Sequence, residues 1–61
     1  MRIKITINTD DFVEQAAGDE TARILRGLAD RLKTWPGKNE FVIGLYDVNG
    51  NRVGESEAIF S

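Results

Sequence analysis

Apolar and polar residues alternate strictly from Met1 to Asn8, with Ile3, Ile5 and Ile7 pointing one way and Arg2, Lys4, Thr6 and Asn8 the other. Period-2 alternation in β-branched residues predicts a strand with one buried and one solvated face. From Asp19 to about Trp35 the period changes. At 100° per residue, Ala22, Leu25, Leu28, Ala29, Leu32 and Trp35 share a face, with Ile24 at its margin, while Arg23, Arg26, Asp30, Lys33 and Thr34 lie opposite. That is the stripe of an amphipathic helix. Asp19 and Glu20 sit at the positive end of its dipole, Arg31 and Lys33 near the negative end. Pro36-Gly37 stops it. Asp19 with Arg23, and Arg26 with Asp30, have the spacing of intrahelical ion pairs.

Glu40 to Val48 and Asn51 to Phe60 read as two strands joined at Asn49-Gly50, the pair favoured in a type I′ hairpin turn because both positions need positive φ. A two-residue loop pairs Val48 with Asn51, Tyr46 with Val53, Gly44 with Glu55 and Val42 with Glu57 on one face. On the other it pairs Asp47 with Arg52, Leu45 with Gly54, Ile43 with Ser56 and Phe41 with Ala58. The second face, large residues beside small ones, makes a shallow bed for a helix. It is assigned to the core with Ile3, Ile5, Ile7 and Phe60. The first face, with Val42, Tyr46, Val48, Val53, Ile59, Glu55 and Glu57, has no second helix to cover it.

Between the first strand and the helix, Thr9-Asp10-Asp11 are turn and cap residues. Asp11 and Glu14 have capping-box spacing. A short helical turn over Phe12 to Ala17, ended by Gly18, is expected, with Phe12 and Val13 tucked under the end of the domain. The predicted fold class is therefore α+β, in the order β-α-β-β, with one amphipathic helix on one face of a three-stranded sheet and a C-terminal hairpin. Residues 1–61 form one domain, and the favoured strand order is 1-3-2.

A chain of 61 residues buries only about 60% of its accessible surface on folding. Such domains usually need a staple, yet there is no cysteine for a disulfide and no histidine for the commonest metal sites. Association with another chain, as a homodimer, is the expected remedy. No apolar run approaches the roughly 20 residues of a membrane span, and the N-terminus does not resemble a signal peptide. A cytoplasmic location and no membrane partner are expected.

The net charge is −2, against generic nucleic-acid binding, and it is polarised along the chain. From Asp10 to Glu20 every charged residue is acidic: Asp10, Asp11, Glu14, Asp19 and Glu20. From Arg23 to Lys38 all but Asp30 are basic.

Enzymes need a nucleophile with a base, a metal, or tuned carboxylates. Ser56, Ser61 and Tyr46 have no evident partner, and Glu55 and Glu57 share a face that should be open to water, which keeps carboxylates ordinary. No catalytic residues, metal or cofactor are expected. Asp47 to Asn51 has the wrong spacing for a calcium loop and reads as the hairpin turn. Two protein-binding surfaces stand out. One is the acidic run, suited to an Arg/Lys-rich patch; the other is the open sheet face with Val42, Tyr46, Val53, Glu55 and Glu57, where a central tyrosine suits an anchor. Arg23, Arg26 and Lys33, on the outward helix face, could instead grip phosphates.

Three stretches, Ile5-Thr6-Ile7-Asn8-Thr9-Asp10, Ala22-Arg23-Ile24-Leu25-Arg26-Gly27-Leu28-Ala29-Asp30-Arg31-Leu32 and Asp47-Val48-Asn49-Gly50-Asn51-Arg52-Val53-Gly54, resemble in content and order a group of short accessory proteins of bacteriophages and mobile elements. Such settings include small acidic anti-CRISPR and other anti-defence inhibitors. The resemblance implies stoichiometric blockade of a host protein, with type I or type II CRISPR machinery among the candidates, and carries over no catalytic residue. The readings that follow are a non-enzymatic inhibitor, a small nucleic-acid-binding regulator using the basic helix face, and a structural homo-oligomer.

Overall fold

The computed structural model describes residues 1–60; Ser61, named above as a candidate hydroxyl, lies outside them. The elements are β1 (Arg2–Ile7), a 3-10 turn (Glu14–Ala16), α1 (Ala17–Leu32), β2 (Phe41–Tyr46) and β3 (Arg52–Ile59). The sheet is antiparallel throughout, in the expected order β1-β3-β2. Fold class and topology agree with the sequence reading.

The register agrees over most of the hairpin and departs at its tip. Phe41 to Leu45 stand opposite Ala58 to Gly54 as expected, but Tyr46 faces Arg52. The pairings of Val48 with Asn51, Asp47 with Arg52 and Tyr46 with Val53 do not form. The cause is Asp47. Its carboxylate accepts hydrogen bonds from the backbone N–H of Asn49 (2.9 Å) and of Asn51 (2.8 Å), and its own backbone N–H donates to the Asn51 carbonyl at 2.9 Å. These bonds close a three-residue loop, Val48-Asn49-Gly50, in which only Gly50 takes positive φ, at 84°. This is the hairpin that ends in a left-handed glycine, not the type I′ turn. The longer loop leaves one residue over, and Val53 becomes a bulge between Arg52 and Gly54.

The bulge restores the pairing that the core needs. Ile24, Leu28 and Leu45 form the buried cluster, with Ile7, Phe12, Leu32, Ile43 and Val53 packed around it. Gly54, Ser56 and Ala58 lie beneath as the small floor. Val53 is thus a core residue and leaves the open face to which the two-residue turn had assigned it. Arg52 moves the other way, onto the open face.

The helix is turned from its expected orientation toward its Ile24 side. Ile24 and Leu28 are the buried residues of α1, whereas Leu25 is 40% exposed and Ala29 is open. The reason is a tether on one flank. The Arg23 guanidinium donates to the Tyr46 carbonyl at 3.1 Å and to Glu20 at 2.7 Å, which draws the helix over β2. The expected Asp19–Arg23 pair is replaced by Glu20–Arg23, and Arg26 with Asp30 forms no ion pair. Drawn to that side, the helix leaves β1 bare: Ile3 is 41% and Ile5 45% exposed, and Phe60 is exposed too, against the expectation that all three pack on the helix.

The ends of α1 also differ. The 3-10 turn runs directly into the helix, so Gly18 lies in its first turn and does not end an earlier one, and no side chain caps the start. Phe12 packs on the core, but Val13 is 68% exposed. After Leu32 a looser turn carries the chain to Trp35, whose indole N–H donates to the Asn39 carbonyl at 2.7 Å and whose ring meets Phe41 edge-on at 4.9 Å. Gly37, with φ 83°, then reverses the chain.

Two substitutions test this packing. A methyl group on Gly54 would meet the Thr6 carbonyl oxygen at 1.9 Å. Gly54→Ala is therefore expected to cost more than about 2 kcal/mol, because backbone must move, measurable by urea unfolding. The Ser56 hydroxyl is fully buried and has no hydrogen-bond partner. Removing an unsatisfied buried donor relieves about 1–3 kcal/mol of desolvation, so Ser56→Ala should raise the unfolding midpoint; a lower midpoint would show that the hydroxyl is satisfied.

Candidate functional site

The acidic segment and the hairpin tip, remote in sequence, meet at one end of the sheet. Asn8 begins the approach: its side-chain oxygen accepts the Asp10 N–H at 2.9 Å, and the Phe12 N–H donates to the Thr9 carbonyl at 3.0 Å. These turns swing Phe12 onto the core and set the following 3-10 turn beside the Val48 loop. Asp11, Phe12, Val13, Ala16, Glu20, Asp47, Val48 and Asn49 line a shallow hollow of about 130 Å³ there. Its rim holds Val13 and Val48, 68% and 69% exposed. Asp10, Glu14 and Asp19 are exposed on the same acidic segment.

Charge at this end is only partly compensated. Glu20 is held by Arg23, while among the described residues no ion pair engages Asp10, Asp11, Glu14, Asp19 or Asp47. The hydrogen bonds that Asp47 accepts, first from the Asn51 backbone, hold its carboxyl below the ordinary 3.8, against a smaller opposing effect of burial. The end therefore carries fixed negative charge around two exposed valines. Among the described residues no group of three or more potential ligands is placed to hold a metal ion. The chemistry on offer is recognition of a cationic surface with an apolar contact at its centre.

The open sheet face is less acidic than expected. Val42 and Tyr46 are exposed and Ile59 half-buried on it. Tyr46 lies back along the strand over Gly44, where an added methyl would meet its hydroxyl oxygen at 2.9 Å. Val53 is absent from this face. Glu57 stands opposite Lys4, and Glu55 lies 3.7 Å from Arg52, the residue the bulge delivers. With Arg2 alongside, the face is of mixed charge, not an apolar patch ringed by glutamates.

The basic residues are not gathered. Arg23 is committed to Glu20 and to the β2 backbone, leaving Arg26 and Lys33 as exposed charges without an ion-pair partner among the described residues. Arg31 instead joins Arg23, Gly27, Gly44 and Tyr46 around a hollow of about 220 Å³ between α1 and β2.

Asp47, Val48 and Val13 are the members of the acidic end that were not picked out as binding residues. The cue for Asp47 was present: an aspartate two positions before Asn-Gly is placed to accept the turn's N–H groups. No local signal brings Val13 and Val48 together, since only the folded sheet does so. Among the described residues no helix is long and apolar enough to cross a membrane. No protein-family description matches this chain, and neither does any curated protein or any solved structure.

The Asp47 carboxylate gives a pH test. Its folded pKa is depressed, so its contribution to stability is present above about pH 4 and lost as the pH falls through the folded value. Asp47→Asn should show a smaller drop in urea midpoint between pH 5.5 and pH 2.5 than the parent. Equal drops would remove Asp47 as the source of acid sensitivity.

Proposed function

We propose that this chain is a non-enzymatic inhibitor that acts by stoichiometric binding to a protein with a basic, nucleic-acid-holding surface. The observation that supports it best is the meeting of Asp11 with Asp47 around Val13 and Val48 at one end of the sheet. Oriented carboxylates mimic a short run of phosphates and steer association with Lys/Arg-rich surfaces, and the exposed valines supply the apolar centre of an interface. Asp10, Glu14 and Asp19 extend the field. The resemblance to phage and mobile-element accessory proteins makes a host defence component, such as a CRISPR-Cas protein, the partner class to test first.

The regulator reading is weaker, because the basic set is divided: Arg23 is tethered, and only Arg26 and Lys33 remain on the outward face.

The test uses the chain as bait in a lysate of cells carrying a type I or type II CRISPR system, with and without nuclease treatment. The expected result is one protein captured in equimolar amount, insensitive to nuclease. The paired substitution Asp11→Arg and Val48→Lys should lower its affinity by roughly a hundredfold while leaving the circular dichroism unchanged. Recovery of nucleic acid alone, or capture indifferent to the substitutions, would overturn the proposal.

A further inference from the structure

The sheet has two edges, and they differ. In an antiparallel ladder, alternate residues turn their backbone groups toward the partner strand and the rest turn theirs away. The Asn8 N–H donates to the Val53 carbonyl at 2.7 Å, which places the backbone groups of Arg2, Lys4, Thr6 and Asn8 toward β3. Those of Ile3, Ile5 and Ile7 point out of the sheet at its β1 edge. The same alternation directs Val42, Gly44 and Tyr46 to the β2 edge, where Arg23 from the helix caps the Tyr46 carbonyl. The β2 edge is thus blunted by a charged side chain reaching from α1, a common protection of edge strands. Among the described residues no side-chain hydrogen bond reaches the outward backbone of β1, and the side chains of Ile3 and Ile5 lie exposed on the helix side of the sheet.

The molecule is also too open for a monomer of its mass. Its accessible surface is 4495 Å², against about 4,000 Å² from the scaling of folded monomers at 6.8 kDa. Its radius of gyration is 12.4 Å, against about 10.5 Å for a compact chain of this length. The excess area, about 500 Å² per chain, amounts to about 1,000 Å² when two chains meet, the lower bound for a specific interface.

We propose that β1 pairs with β1 of a second copy of this chain, antiparallel about a two-fold axis at Ile5, to give a continuous six-stranded sheet. The strand is self-complementary in this register. Ile5 meets Ile5 and Ile3 meets Ile7, so every outward-facing backbone group of the three isoleucines finds a partner, roughly six hydrogen bonds in all. On the reverse face Lys4 lies opposite Thr6, and Arg2 opposite Asn8. A slip of one step in the pairing, about Lys4, would set lysine against lysine, which opposes it. The two-fold axis runs perpendicular to the sheet, so both helices lie on one face. Leu25 is on the flank of α1 turned away from β2, and the pairing gives it, Ile3 and Ile5 apolar neighbours across the axis. The acidic ends remain free, so this interface and the proposed inhibitory surface stand or fall separately.

The native sequence has no cysteine, which makes a register-specific test simple. Lys4→Cys and Thr6→Cys chains, mixed and mildly oxidised, should form a disulfide between the two variants, because positions 4 and 6 are close non-hydrogen-bonded neighbours across the seam. Sedimentation of the unmodified chain should give twice the monomer mass of 6.8 kDa at high concentration. Ile5→Pro removes an N–H that the monomer does not use; it should keep its circular dichroism and raise the dimer dissociation constant roughly tenfold or more. Ile3→Glu, which leaves the backbone alone, should have the same effect and guards against a folding failure of the proline variant. A monomer at all concentrations without cross-linking, or efficient self-cross-linking of Lys4→Cys alone, would overturn the proposal.

Discussion

The structure depends on how closely α1 can approach the central strand. Gly54, Ser56 and Ala58 of β3 are small, and this lets Ile24 and Leu28 press onto Leu45 with Ile43 and Val53 at the margin. A larger residue at any of the three would lift the helix from its bed. Gly54 bears a second constraint, since the backbone of β1 at Thr6 occupies the space where a side chain would begin. One strand therefore sets both the height of the helix and the closeness of its neighbour.

From that contact the asymmetry of the molecule follows. A 16-residue helix cannot cover three strands, and the Arg23 bond to the Tyr46 carbonyl decides which it covers. The helix lies over β2, and β1 keeps two half-exposed isoleucines beside an unpaired edge. In a chain with a core this small, burying those isoleucines contributes a sizeable part of the available stability: each fully buried aliphatic side chain is worth about 1.5–3 kcal/mol. The bare strand and the modest core are the same fact seen from two sides.

The hairpin tip links fold to recognition. Asp47 organises the loop through the N–H groups of Asn49 and Asn51, and in doing so fixes a carboxylate beside the acidic segment. The bulge that follows takes Val53 into the core and returns Arg52 to the open face, where it offsets Glu55. A local choice of turn thus moves one apolar residue and one charge between the two faces of the sheet. It also leaves the end of the sheet, not its face, as the concentrated negative surface.

What the amino-acid order determined by itself was the kind and sequence of the elements. The alternation at Ile3, Ile5 and Ile7, the helical stripe after Asp19 and Asn49-Gly50 between two β-rich runs each act within a few residues, and periodicity reports that range well. The pairing of Phe41, Ile43 and Leu45 with Ala58, Ser56 and Gly54 was reached from a two-residue turn that does not form, and it stands because the extra loop residue and the bulge at Val53 offset each other. Tertiary structure alone decided the rotation of α1, the exposure of Ile3, Ile5 and Leu25, and the meeting of Val13 with Val48. Those depend on one long-range bond from Arg23 to a strand 23 residues away and on a one-residue bulge, and a pattern of neighbours along the chain carries no term for either.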